Sequence, residues 1–256
     1  MPRLSISLIG TFQVTLGGEH VTRFESDKVR ALLAYLAVES ERPHRREKLA
    51  GLLWPDKLEG KARRNLSQAL FNLRVATGDR DVFPSFFHIS PQTIQFNRAS
   101  DHWLDVIILR TLISECDRHS HRSLSVCDEC IGKLQQAIAL YTGGFLAGFS
   151  LKDSPAFEEW SLLEGESLHR AATKSMRRLA DAYQSRGEYE PALTYARRRV
   201  ELEPWREDAH RQLMELLLLN GQRDAALAQY ETCRDILIKE LGVEPEQQTE
   251  ALHQRI

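Results

Sequence analysis

The chain lacks any apolar run close to the roughly 18–20 residues needed to cross a bilayer, and its opening MPRLSISLIGTFQV is too polar for a secretory signal. These absences argue against a membrane protein and give a cytoplasmic address. Also missing are GxxxxGK(S/T), the phosphate-cradling loop, GxSxG, the nucleophile elbow, and HExxH, the zinc-protease helix. An enzyme is therefore not expected within this chain. One local absence is as informative: after Glu59 no acidic residue occurs until Asp79.

With 256 residues, 42% hydrophobic and 27% charged, the composition is that of an ordinary globular protein, long enough for two domains that each bury a core. The net charge of −2 hides an asymmetry. Residues 1–100 carry 15 Lys and Arg against 10 Asp and Glu, a net of +5, which leaves −7 for residues 101–256. Nine basic and three acidic residues fall within 42–74 alone. The first half is built to meet a polyanion and the second is not; the competing reading is a merely solvated charged face.

The first 25 residues alternate as short strands: Leu4, Ile6 and Leu8, then Phe12, Val14 and Leu16 before the hairpin signal Gly17-Gly18. From Ser26-Asp27 the period becomes helical, with Val29, Leu32, Leu33 and Leu36 on one face and an end before Pro43. A second short helix is expected over Arg45–Trp54. A third is expected over Lys61–Thr77, where Ala62, Leu66, Ala69, Leu70 and Leu73 form a core-facing stripe. Phe87–Ile89, the turn Ser90-Pro91-Gln92 and Thr93–Phe96 then read as a hairpin. Sheet, three helices and hairpin, in that order, describe a winged helix-turn-helix.

From Asp101 onward the sequence reads almost wholly as helix, with segments expected over 106–114, over 134–141 and after Ala156. Leu179, Tyr183, Gly187, Ala192 and Leu193 recur 34 residues later as Leu213, Leu217, Gly221, Ala226 and Leu227. That is the tetratricopeptide period, with glycine at the turn between paired helices and alanine where they pack closely. The expected fold is thus mainly α with a small β component: a winged helix over residues 1–100, and tetratricopeptide-like helices over 101–256. Trp160 and Trp205 are expected to anchor helix packing, and Cys233 to lie in the core.

Opposite the apolar stripe, the third helix carries the groups that DNA reading requires. Lys61, Arg64, Asn65, Gln68 and Asn72 face away from the core, with Arg63, Ser67 and Arg74 beside them. Arg presents a forked donor to guanine or phosphate, Asn and Gln pair with adenine, and Ser reaches phosphate oxygens. Thr93 and Gln95 near the hairpin tip could touch the adjacent minor groove or its phosphates, or be ordinary outward positions of a strand.

At this point the sequence resembles the Streptomyces antibiotic regulatory protein (SARP) type of activator, in which an OmpR-like winged helix precedes a bacterial transcriptional activator domain. The first domain is similar in its order of elements and in Lys61-Ala62-Arg63-Arg64-Asn65-Leu66-Ser67-Gln68-Ala69-Leu70-Phe71-Asn72-Leu73-Arg74. The second is similar in Ala137–Tyr141 with Gly144-Phe145-Leu146, in Gly187-Glu188-Tyr189, in Arg211–Met214, and in Lys239–Pro245. The resemblance implies a transcription factor that binds direct-repeat promoter DNA as a dimer or side-by-side pair and recruits RNA polymerase. In larger relatives the same two domains precede a nucleotide-binding module, so the chain is expected to be the N-terminal part of a longer protein. The alternative is a protein-interaction scaffold, in which tetratricopeptide-like repeats bind peptides and the winged helix is only a docking module.

One stretch departs from the commonest pattern of that family. Cys116-x-x-His119-x-His121 is followed after five residues by Cys127-x-x-Cys130, a spacing able to give tetrahedral zinc four thiolate or imidazole ligands. His119 and His121 compete for the fourth place. In a reducing cytoplasm a disulfide is not expected, and a structural zinc would staple a loop too polar to pack alone. The competing reading is unrelated thiols on helix ends. No cofactor is otherwise required.

Overall fold

The computed structural model describes residues 4–120 and 123–256. Its backbone divides into two units, Met1–Thr111 with Leu140–His169, and Leu112–Ala139 with Arg170–Ile256.

In the first unit, Leu4–Ser7 (β1) and Gln13–Leu16 (β2) pair antiparallel with Leu4 opposite Leu16 and Ile6 opposite Val14. This register turns Leu4, Ile6 and Val14 into the core. Glu19–His20 (β3) lies on the outer edge of β2. After it come Asp27–Val38 (α1), His44–Arg45 (β4), Arg46–Leu53 (α2), Glu59–Ala76 (α3), and the strands Phe87–Ile89 (β5) and Thr93–Phe96 (β6). β4 pairs with β6 and β6 with β5, making a three-stranded sheet. α1 is buried nearly all round, as befits the central helix of the unit. α3 buries Ala62, Leu66, Ala69, Leu70 and Leu73, the five positions of the expected stripe.

His102–Leu104 (β7) corrects the expectation of helix from Asp101 onward. It runs parallel to β1 and completes a sheet of order β3-β2-β1-β7. Three residues carry no detectable alternation; they become a strand because β1 offers an unpaired edge. Asp105, the first residue of Asp105–Arg118 (α4), locks the junction. Its buried carboxylate accepts from the backbone N–H of Leu8 at 2.7 Å, Ile9 at 2.8 Å and Val106 at 2.7 Å. Burial raises its pKa, and the amides oppose the rise.

Residues 140–169 belong with this unit through backbone bonds that alternate along one strip: Gly10 N–H to Gly144 O, Leu146 N–H to Leu8 O, and Ala147 N–H to Gly10 O. Trp160 is the expected anchor. Its indole donates to Glu39 Oε1 at 3.0 Å and packs against Tyr35, Phe145 and Phe157.

The second unit holds the end of α4, a 3-10 turn Leu124–Val126, the helix Asp128–Leu140 (α5), and the later part of Pro155–Ser185 (α6). Tyr189–Leu202 (α7), Glu207–Leu219 (α8), Arg223–Ile236 (α9) and Gln247–Arg255 (α10) follow. The 34-residue repeat appears as duplicated hydrogen bonding. Gly187 N–H bonds Gln184 O and Glu188 N–H bonds Tyr183 O; at the next repeat Gly221 N–H bonds Leu218 O and Gln222 N–H bonds Leu217 O. Each is a Schellman termination, with glycine left-handed at φ +74°. Ala192 and Ala226 are fully buried where the helices meet. Cys233 is in the core as expected. Trp205 is not: it is 53% exposed, in the short connection before the first turn of α8.

An ion pair closes the α7–α8 junction. Arg199, 4% exposed, binds Asp208, and Arg206 donates to the same carboxylate at 2.9 Å. Burial by itself would raise the Asp208 pKa, but hydrogen bonds and charge from Arg206 and Arg199 overcome it and hold the carboxyl at about 2 against an ordinary 3.8. The ionised form therefore stabilises the fold above the ordinary value, and that stabilisation is lost as pH falls toward about 2. Arg199→Ala is expected to cost about 1–3 kcal/mol in urea denaturation, because it removes the buried cation of the pair while Arg206 still holds the partly exposed Asp208 carboxylate. Between about pH 5 and about pH 2.5, Asp208→Asn should flatten the acid loss of stability relative to the parent.

Candidate functional site

α3 starts at Glu59 after the extended residue Leu58. It ends in a Schellman termination of its own, with Gly78 N–H to Val75 O, Asp79 N–H to Arg74 O, and Gly78 at φ +64°. Because one side of the helix is committed to the core, the residues between the buried ones must face outward. Lys61, Arg63, Arg64, Ser67 and Gln68 are exposed, and Asn65 is half-buried.

Of the ten expected DNA-facing residues, Asn65 is half-buried and the other nine fall into two groups. Arg64, Gln68 and Lys61 stand along the outward face, with Ser67 beside them, its hydroxyl donating to Arg63 O at 3.0 Å. Others are drawn into the fold. Asn72 Oδ1 accepts the Glu25 N–H at 3.1 Å, fastening the loop before α1. Gln95 Nε2 donates to Ser40 O at 2.9 Å. Thr93 shares its hydroxyl with Ser90, whose Oγ also accepts the N–H groups of Gln92 and Thr93, so the hairpin tip is tied to itself. Arg74 Nε donates to Asp79 at 2.7 Å, and the Asp79 side chain is fully buried. The other Asp79 oxygen accepts the Phe87 N–H at 3.1 Å, so one carboxylate joins the end of α3 to the first residue of the hairpin. Arg63 pairs with Glu47 at 2.6 Å and Glu59 at 2.7 Å, both exposed.

Between α2, α3 and the hairpin tip lies an open cleft of about 550 Å³, lined by Arg45, Arg46, Arg63, Ser67, Gln92 and Thr93 among others. Arg46 is oriented there by its own bond from Nε to Ser90 O at 3.0 Å, and its N–H binds Gln92 O. Arg45 and Arg46 were absent from the expected set. Their signal was present, in the basic run Arg42-Pro43-His44-Arg45-Arg46 at the start of a helix, where unpaired amides and the helix dipole favour an anion. Phe71 is a second omission. It is out of phase with the apolar stripe, 47% exposed, and covered on one side by the Arg80 guanidinium 5.0 Å from its ring.

The cysteine and histidine residues assemble in the other unit. Nδ1 of His119 lies 3.1 Å from Cys130 Sγ and 3.4 Å from Cys127 Sγ, and Cys130 is also hydrogen-bonded to Cys116. His121 lies outside the described residues.

The fold is that of a winged helix-turn-helix carrying an exposed basic helix, followed in the chain by tandem helical repeats. A family model described as the bacterial transcriptional activator domain matches residues 104–256, and the chain belongs to that family. That family is the one to which the second half of the chain was expected to belong. Comparison with curated proteins finds no significant match. Among solved structures, Mycobacterium tuberculosis EmbR in complex with a low affinity phosphopeptide is similar, with a TM-score of 0.73 and 22% identity over 100% of this chain. The chain spans 65% of the length of that protein, and at this identity the likeness bears on the fold. Among the described residues no helix is long and apolar enough to cross a membrane.

The Asp79 link yields a stability prediction. Arg74→Met should destabilise the chain by about 3–5 kcal/mol, since it leaves a fully buried carboxylate without its cation. Asp79→Asn, which retains hydrogen-bonding capacity without the charge, should cost less. Chemical denaturation of the three proteins orders them; equal stability of Arg74→Met and the parent would count against the link.

Proposed function

We propose that this chain is a sequence-specific promoter-binding activator in which α3 enters the major groove of double-stranded DNA. The observation that carries this reading is the outward row Lys61, Arg64 and Gln68 standing beside a cleft that gathers Arg45, Arg46 and Arg63. Arg64 and Gln68 have the length and donor patterns for guanine and adenine edges, Asn65 flanks them, and Phe71 suits a thymine methyl. The cleft takes the phosphate backbone, with Arg45, Arg46 and the α2 N-terminus as donors, and the rigid tip at Gln92 and Thr93 acts as the wing. Asn72, Arg74 and Gln95 serve by holding the reading helix and the wing in place.

Direct-repeat binding as a dimer or side-by-side pair, recruitment of RNA polymerase and a cytoplasmic location follow from the resemblance to SARP-type activators. The acidic helical repeats supply the surface for such a protein partner, because like charge keeps them off DNA.

Two variants separate reading from holding. Arg64→Ala with Gln68→Ala should lower affinity for the promoter site by about 1–3 kcal/mol for each base edge no longer read, while leaving non-specific binding largely intact. Arg45→Ala with Arg46→Ala should weaken all sequences alike and reduce the slope of log K against log salt by about one for each phosphate no longer neutralised. Footprinting with the parent gives the half-site spacing. Unchanged affinity and specificity in both variants would overturn the reading in favour of a repeat scaffold that binds protein.

A further inference from the structure

The loop joining α4 to α5 has little reason to hold its shape. Among the described residues of 117–129 none is buried, and Val126, its largest aliphatic side chain after Leu124, is 72% exposed. With only Leu124, Ser125 and Cys127 half-buried, such a connection recovers little of the conformational entropy it loses on ordering. Yet three donors close on one point, His119 from the residue after α4 and Cys127 and Cys130 from the start of α5, while Cys116 in the last turn of α4 is hydrogen-bonded to Cys130. The ligand atoms of His119, Cys127 and Cys130 all lie within 4.8 Å of one another.

We propose that Cys116, His119, Cys127 and Cys130 form a structural zinc site that staples the α4–α5 loop. The donor set is three thiols and one imidazole, the soft and borderline mixture that zinc selects over magnesium or calcium. With zinc–sulfur bonds of about 2.3 Å and zinc–nitrogen bonds of about 2.0–2.1 Å, ligand atoms of a tetrahedron stand about 3.5–3.8 Å apart. The separations of 3.1 and 3.4 Å from His119 Nδ1 to the two sulfurs need to open by only a few tenths of an ångström. Chain geometry matches as well, with two ligands at the end of one helix and a Cys-x-x-Cys pair at the start of the next.

The surroundings suit an anionic centre. On binding, each of the three thiols gives its proton to solvent, so three thiolates and one Zn²⁺ leave a net charge of −1. Arg178 Nη2 donates to Cys116 Sγ at 3.4 Å while its Nη1 holds Asp117 at 2.6 Å. A guanidinium donating to a ligand sulfur is the kind of outer interaction that orients a metal ligand and stabilises its charge. Arg186 fixes the far side of the loop, with Nε to Ser125 O at 2.5 Å and Nη2 to Asp128 at 2.7 Å. Four closed protein ligands leave no open position for catalysis, so the role is to hold structure.

The test uses the whole chain, purified without a metal-affinity tag and without chelator. Elemental analysis should find one zinc per chain. Cobalt substitution should give thiolate-to-cobalt charge transfer and the intense visible bands of a tetrahedral site. Chelation should lower Tm. Cys127→Ser with Cys130→Ser should lose the metal; should that variant not fold, His119→Ala against His121→Ala decides the fourth ligand, and loss of the tetrahedral cobalt spectrum only in His119→Ala supports the site as drawn. Retention in His119→Ala with loss in His121→Ala would overturn the assignment of His119. Zinc far below one equivalent in the parent, with no cobalt spectrum and freely titrating thiols, would overturn the site altogether. DNA affinity of the parent is measured separately, so failure of the metal site leaves the promoter reading standing.

Discussion

A single buried carboxylate holds together the two parts of the molecule that would meet DNA. Asp79 follows α3 immediately after a left-handed glycine, and its two oxygens take the Arg74 guanidinium from that helix and the Phe87 N–H from the hairpin. A carboxylate stripped of water is tolerated only when such partners replace its solvation. The pairing therefore sets how far the end of α3 stands from the first strand of the hairpin. Gly78 makes this reachable: its positive φ turns the chain back so that Asp79 lies within reach of Arg74.

Around that link, polar side chains divide between holding and presenting. Asn72 and Gln95 look, by residue type alone, like base-reading groups, yet their bonds to Glu25 N–H and Ser40 O place them in the scaffold. Lys61, Arg64 and Gln68 remain on the exposed face. Interfaces that must position donors to within fractions of an ångström need this kind of support, because a reading side chain on an unfixed helix samples too many geometries.

Much of this was legible in the sequence. The buried stripe of α3 needs only the helical period, since positions three and four apart share a face whatever surrounds them. The hairpin Phe87–Phe96 and the 34-residue repeat rest on local turn chemistry and on internal similarity, both properties of short segments. What escaped detection was non-local. The strand His102–Leu104 exists because β1 lies beside it, and Arg45 and Arg46 join Arg63 in one cleft only through the folding of α2 against α3. Trp205 shows the converse, a large aromatic whose exposure depends on where the neighbouring helix ends.

The sequence by itself determined the class of the protein: a basic amphipathic helix within a winged arrangement, then acidic helical repeats, because periodicity, charge and turn residues are written along the chain. Only the tertiary structure decided which of the polar residues on α3 are presented and which are committed to the fold, and that the cysteines flanking a polar loop converge with His119. The physical reason is the same in both cases. Hydrogen bonds and ligand clusters depend on distances of about 3 Å between groups far apart in sequence, and such distances arise only when the core packs.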